Sequence, residues 1–171
     1  HLLFLNRIRE VQPDRQTLAK YFGDRHWDND DLEECVAYGL DLAAARGKVF
    51  TWLTATNRGA SAVCRAALAH KGISDDDLLA GYQGDPASKS KLRILCRPCL
   101  LYRLTRNLDK RRGFVNGALA VCVESLKGCE VFIVRLVSSG NLVLVHPVEE
   151  KGRRFLPLTY GYATTVRRAQ G

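Results

Sequence analysis

The chain has 171 residues, room for one domain or one domain with a small insert, and its 46% hydrophobic and 26% charged residues are the mix of a globular protein. No apolar run approaches the ~20 residues that cross a bilayer, and the opening HLLFLNRIRE loses its apolar character at Asn6 and Arg7, too early for a signal peptide. A net charge of +8 favours a polyanionic partner, nucleic acid before an acidic membrane surface, against the plain alternative of a solvated basic face.

In chain order, QPDRQTLAKYFG predicts a short helix, with Pro13 in its first turn and Gly23 at its exit. DNDDLEECVAYGLDLAAARG predicts a longer one, acidic at its start and ended by Gly47, with Leu32, Val36 and Leu40 on one apolar stripe. KVFTWLTAT reads as a buried strand, Asn57 as the N-cap that follows it, and RGASAVCRAALAHKG as a helix ending at Gly72. Strand, capped turn and helix make one α/β unit. The stretch ISDDDLLAGYQGDPASKSK is polar and turn-rich, a loop with at most one helical turn. LRILCRPCLLYRLTRN looks extended. Short strands follow at ALAVCVES, EVFIVRLV, NLVLVHPV and RRFLPLT, joined by turns at LKGC, SSGN and EEKG, which predicts a small antiparallel module. The final YGYATTVRRAQ returns to a helical pattern. The chain contains no methionine and stops on Gln170-Gly171, as expected of a segment cut from a longer protein.

Six cysteines at irregular spacing in a chain of this size suit a reducing compartment better than a disulfide framework. CRPC at 96–99 is a single CxxC, half of a zinc site; six residues, not two to four, lie between Cys122 and Cys129 and no histidine stands in a ligand pattern nearby, so no metal site is expected.

Three stretches carry possible chemistry. TATN places Thr54 and Asn57 at a strand's carboxyl end, where hydroxyl and amide groups can bond a phosphate; the plain alternative is a strand threonine and a cap. NLDKRRGFVNGALAVC sets Arg106, Lys110, Arg111 and Arg112 beside a tight turn at Asn116-Gly117, either a basic loop against a nucleic-acid backbone or a hairpin with a solvated tip. LTYGYATTVRRAQG combines Tyr160 and Tyr162 for base stacking with Thr164, Thr165, Arg167 and Arg168 for phosphates; the plain alternative is a surface helix.

These stretches also carry a resemblance. NLDKRRGFVNGALAV resembles the N-L-D-x-x-x-G-x-V-N-G segment of RecD-type superfamily 1B DNA helicases, in particular the petite integration frequency (Pif-like) family. LPLTYGYATTVRRAQG resembles their motif V region, L-P-L-x-x-A-x-A-x-T-I-H-K-S-Q-G, and TATN a strand end of their second RecA-like domain. FLNRIREVQPDRQTLAKYF resembles the linker helices upstream, so the likeness covers nearly the whole chain. It implies an α/β fold: a RecA-like (P-loop NTPase-type) second motor domain with an inserted small SH3-like β-barrel module. Residues 1–107 would be linker helices and the first part of that domain, 108–158 the insert, and 159–171 the return through motif V.

The resemblance implies an ATP-dependent 5′–3′ helicase as the parent, with ATP and Mg2+ as its cofactors and single-stranded or forked DNA as its partner. Thr165 would touch the DNA backbone, Thr54 and Asn57 would lie near the single strand, and Gln170 and Gly171 would couple nucleotide state to grip. Nuclear or mitochondrial residence would follow in a eukaryote. Two departures stand out: Arg167-Arg168-Ala169 replaces His-Lys-Ser, and Cys99 stands where the family has glycine. The sequence holds no G-x-x-x-x-G-K-[ST] cradle. This chain alone is therefore not expected to bind the nucleotide or hydrolyse it; the cradle would sit in a preceding RecA-like domain. The alternative is a non-enzymatic nucleic-acid-binding module that keeps the grip without the motor.

Overall fold

The computed structural model describes residues 14–22, 31–126 and 130–169. Residues 1–31 and 32–171 form two compact units. In the first, helix α1 spans Arg15–Phe22, and the Asp14 carboxylate accepts from Thr17 N at 2.7 Å. Pro13 and Gly23, the expected ends, lie outside the described residues.

The second unit opens with α2 (Leu32–Ala45), which starts on Glu33 and Glu34 as its dipole favours. Val36 and Ala43 are buried, whereas Leu32, the first residue of the expected stripe, is exposed. The helix ends in a Schellman arrangement: Lys48 N donates to Ala43 O (2.9 Å) and Gly47 N to Ala44 O (3.0 Å). Strand β1 is only Trp52–Thr54. The longer buried strand expected from KVFTWLTAT is not formed: Val49, Phe50 and Leu53 are exposed, because β1 pairs with a single neighbour among the described residues. Helix α3 (Asn57–His70) packs against α2 and ends as α2 does, with Ile73 N on Leu68 O and Gly72 N on Ala69 O. Its N-cap is Thr56 rather than Asn57: the Thr56 hydroxyl accepts from Gly59 N at 3.0 Å, and Asn57 is the first helical residue.

The polar loop is more ordered than its composition suggests. Ser74 and Asp77 form a reciprocal capping box on the short helix α4 (Asp75–Leu79). Asp85 caps a 3-10 turn at Pro86–Ser88. Within LRILCRPCLLYRLTRN, Pro98 and Cys99 form a turn where an extended run was expected. Cys99 sits at φ 67, the left-handed region that glycine enters at least cost.

Strands β2 (Leu101–Leu104), β3 (Leu119–Leu126), β4 (Val131–Leu136), β5 (Leu142–Val145), β6 (Val148–Glu150), β7 (Arg153–Phe155), β8 (Leu158–Tyr160) and β9 (Ala163–Thr165) follow, then α5 (Val166–Ala169). One antiparallel sheet has the order β5-β4-β3-β2-β8, so it starts at Leu101 and closes with Tyr160. β6 and β7 form a hairpin on Lys151-Gly152, both at positive φ, the geometry of a type I′ turn. The single strand expected over RRFLPLT is split: β7 serves the hairpin and β8 the sheet, with the chain bending at Pro157 through Leu158 N on Leu156 O. β9 lies parallel to β1, with Thr54 opposite Thr165, where a helical pattern was expected. Among the described residues of this stretch, only Val166–Ala169 are helical. The core runs through the sheet and α3, including Tyr102, Leu104, Phe132, Val134, Leu158 and Leu68. Among the described residues, no helix is long and apolar enough to cross a membrane.

Candidate nucleic-acid interface

β1 and β9 run the same way, so Thr54 and Thr165 end them at one edge. The chain leaves that edge twice into a helix, at Asn57 and at Val166. Ligands of parallel α/β sheets bind outside such carboxyl ends. The segments returning from β2 and from the 3-10 turn face the same edge. Between them lies a cleft of about 710 Å³, whose lining includes Asn57, Asn116, Gly117, Thr164, Thr165 and Arg167.

The structure thus gathers most of the sequence-predicted residues into one place. Thr164 and Thr165 are nearly buried and form its floor. Gly117 takes φ 91, a conformation costly for any residue with a Cβ. Its N–H donates to Leu104 O at 2.8 Å, and Asn116 N donates to Asn107 Oδ1 at 2.8 Å, so the V-N-G turn is pinned by its own neighbours. Lys110, Arg111 and Arg112 are exposed at the tip of the adjoining loop, which Phe114 N closes onto Asp109 O.

Other predicted residues take different roles. Thr54 does not line the cleft; its hydroxyl faces Thr56 O (3.0 Å) and Thr164 O (3.4 Å) and ties the strand end. Arg106 lines the cleft but is not available to a phosphate. Its Nε donates to Glu150 (2.8 Å), its two terminal nitrogens donate to Asp85 and Glu150, and one also reaches Thr105 O (3.0 Å), which uses all five guanidinium N–H groups. The hydrogen bonds from Arg106 hold the Glu150 carboxyl below its ordinary range, and the same pairing raises the guanidinium pKa. Tyr160 and Tyr162, expected to stack on bases, are buried instead, at 2% and 3% exposure. Their hydroxyls are bonded inward: Tyr160 donates to Arg93 O and Tyr162 accepts from Leu101 N, and burial pushes both above the usual phenol range. Arg168 lies on α5, and Gln170 and Gly171 lie outside the described residues.

The sequence reading missed Lys89, Ser88, Arg103 and Thr159 in the cleft lining. Ser88 and Lys89 come from a loop carried there by long-range pairing: Gly84 bridges Leu156, and Asp85 N donates to Leu158 O. Only the Asp85-Pro86 turn signal was local. Arg103 and Thr159 are paired neighbours on β2 and β8. Among the described residues, no group of three or more His, Cys, Asp or Glu is placed to hold a metal ion.

No family model matches the sequence, and no curated protein matches it. Solved structures do. A Pif1 helicase structure concerning unwinding at forked double-stranded DNA by two coordinating helicases is 16% identical with a TM-score of 0.59, covering 99% of this chain and 37% of that one. Pif1 from Bacteroides bound to single-stranded DNA is 14% identical with a TM-score of 0.61, covering 99% and 40%. The same helicase with ADP-AlF3 and single-stranded DNA is 15% identical with a TM-score of 0.60, covering 98% and 39%. This chain has the α/β fold of part of a Pif1 helicase. It spans about two fifths of the length of the chains it matches.

Proposed function

We propose that the chain supplies the single-strand grip of an ATP-dependent 5′–3′ DNA helicase. On this reading residues 1–107 and 159–171 belong to linker helices and a second RecA-like motor domain, and 108–158 to an SH3-like insert. The carrying observation is the convergence of Asn57, Asn116, Thr164, Thr165 and Arg167, drawn from separate segments, on one cleft at the carboxyl edge of a parallel strand pair. Amide, hydroxyl and guanidinium donors at such an edge suit a phosphate backbone and carry no base code. With Tyr160 and Tyr162 buried, the grip is on phosphates and sugars rather than by stacking on those rings.

The neighbours solved with single-stranded DNA and with ADP-AlF3 support this partner and an ATP–Mg2+ cofactor for the parent. Nucleotide would be held by a preceding RecA-like domain and felt here through Gln170 and Gly171, which come shortly after the cleft's Thr165 and Arg167 in sequence. Closure of the two domains would shift the strand along the cleft, and forked DNA is the natural substrate of such a step. Arg167-Arg168-Ala169, in place of the family's His-Lys-Ser, favours a second reading, a nucleic-acid-binding module without a motor.

The first experiment titrates the folded chain into labelled single-stranded and duplex oligonucleotides at two salt concentrations. Tighter single-strand binding that persists at the higher salt is expected, because bare charge fades steeply with salt. Binding without strand preference that salt abolishes would sink the proposal. In the parent protein, DNA-stimulated ATPase activity lost on Gln170→Ala is expected of the motor, and a parent without ATPase activity belongs to the second reading.

A further inference from the structure

We propose that Lys89 is a phosphate ligand of the cleft and that the Asp85–Arg106–Glu150 ion cluster positions it. The inference rests on reading the cleft as a single-strand site. Among the described residues, four cations line the cleft: Lys89, Arg103, Arg106 and Arg167. Arg106 has no N–H to offer. Arg103 bridges two walls, donating to Gly117 O (3.0 Å) and to Thr51 Oγ1 (3.2 Å). Lys89 is exposed, and its ammonium makes no hydrogen bond or ion pair among the described residues. Its backbone adopts φ 56 at the end of the 3-10 turn, where glycine or asparagine is the low-strain occupant. A long cation held in a strained conformation over a polar cleft is the pattern of a ligand-binding position.

Beyond its backbone pairing to Leu156 and Leu158, the loop that carries Lys89 is anchored through the Asp85 side chain. Asp85 is 1% exposed, caps the turn through Ala87 N (2.8 Å) and receives two bonds from Arg106. Arg106 continues to Glu150 on β6 and lies over the Phe155 ring of β7, 5.2 Å from its centroid. One guanidinium therefore joins the Lys89 loop, the end of β2 and the β6–β7 hairpin. Capping the turn needs only an oxygen, which asparagine would supply. The carboxylate is explained by Arg106. Asp85, Arg106 and Glu150 are positioning residues, and Lys89 makes the contact.

The test is fluorescence anisotropy with a labelled oligothymidylate across a salt series, using the full chain. Lys89→Ala should weaken binding by about threefold to tenfold and lower the magnitude of the salt slope by about 0.7, the value of one phosphate on a single strand. Lys89→Arg should restore both. Arg106→Ala alone leaves a buried carboxylate unpaired and is prone to misfolding. The neutral pair Asp85→Asn with Arg106→Gln, checked by circular dichroism, therefore tests the positioning step. It should lose the same factor as Lys89→Ala, and adding Lys89→Ala to it should cost nothing more. An unchanged slope in Lys89→Ala, with wild-type binding intact, overturns the Lys89 contact while leaving the cleft reading in place. Losses that multiply in the triple variant overturn the positioning role. A wild-type chain that does not bind overturns both the reading and the inference.

Discussion

The antiparallel sheet and the parallel strand pair solve the burial problem differently. The sheet has five strands, joined in part by short turns, and an inner face that includes Tyr102, Phe132, Val134, Val145 and Leu158. The parallel pair has three residues in each strand and leaves Leu53 60% exposed. The first region holds much of the buried core, and the second the open edge, with its hydroxyls and helix starts. The cleft lies along their seam: Arg103, Asn116 and Gly117 come from the sheet and its turn, and Asn57, Thr164 and Thr165 from the pair. A well-buried sheet thus carries one wall of a site whose other wall is the end of two short strands.

The comparison breaks first on core truncation. Phe132 is 1% exposed and meets the Tyr82 ring edge-on at 5.4 Å. Phe132→Ala should cost about 3–5 kcal/mol through lost burial and a cavity. Leu53→Ala on the open strand should stay within about 0.5 kcal/mol. Urea melts of the two variants check this; equal losses would mean that the pair carries as much stability as the sheet.

The seam comes next. Arg106→Ala strands the Asp85 carboxylate in a buried position and should cost about 3 kcal/mol, the lower part of the range for a broken buried pair because the guanidinium is partly exposed. The double change Asp85→Asn with Arg106→Gln should recover much of that loss. Gly117→Ala should cost about 1 kcal/mol, since φ 91 penalises a Cβ while no heavy atom lies within 4 Å to clash with it. Thermal melts rank the two.

Local chemistry made much of the fold legible. Gly47 and Gly72 ended their helices where the apolar periodicity stopped, and EEKG made the turn it spells. What escaped was decided by pairing over distance. ATT reads as the start of a helix, but its backbone groups pair with β1, more than a hundred residues earlier in sequence. Tyr160 and Tyr162 look like stacking residues beside threonines and arginines, yet Tyr160, by alternation along β8, and Tyr162, in the bend after it, are buried with their hydroxyls bonded to the 93–101 segment. In the same way Asn57, Thr164, Thr165 and Arg167 could be picked by residue type. Arg106 could not be sorted from them without seeing that Asp85 and Glu150 meet it, and Lys89 gave no local sign at all.

The smallest expected effect concerns pH at the seam. The hydrogen bonds from Arg106 lower the Glu150 pKa in the fold. A carboxyl with a depressed folded pKa contributes its stability in full above its unfolded value, about 4.3, and loses it as pH falls through the folded value. The wild-type melting temperature should therefore fall on acidification through that window by slightly more than that of Glu150→Gln, which has no carboxyl there to titrate. Glu150 is well exposed, so the difference should be small and should shrink further with added salt. Identical acid profiles for the two proteins would mean that the Arg106–Glu150 pair does not help to hold the hairpin, which its turn, the Phe155 ring and the Arg154–Glu130 ion pair would then hold. The ion cluster would then begin and end at Asp85 and Arg106.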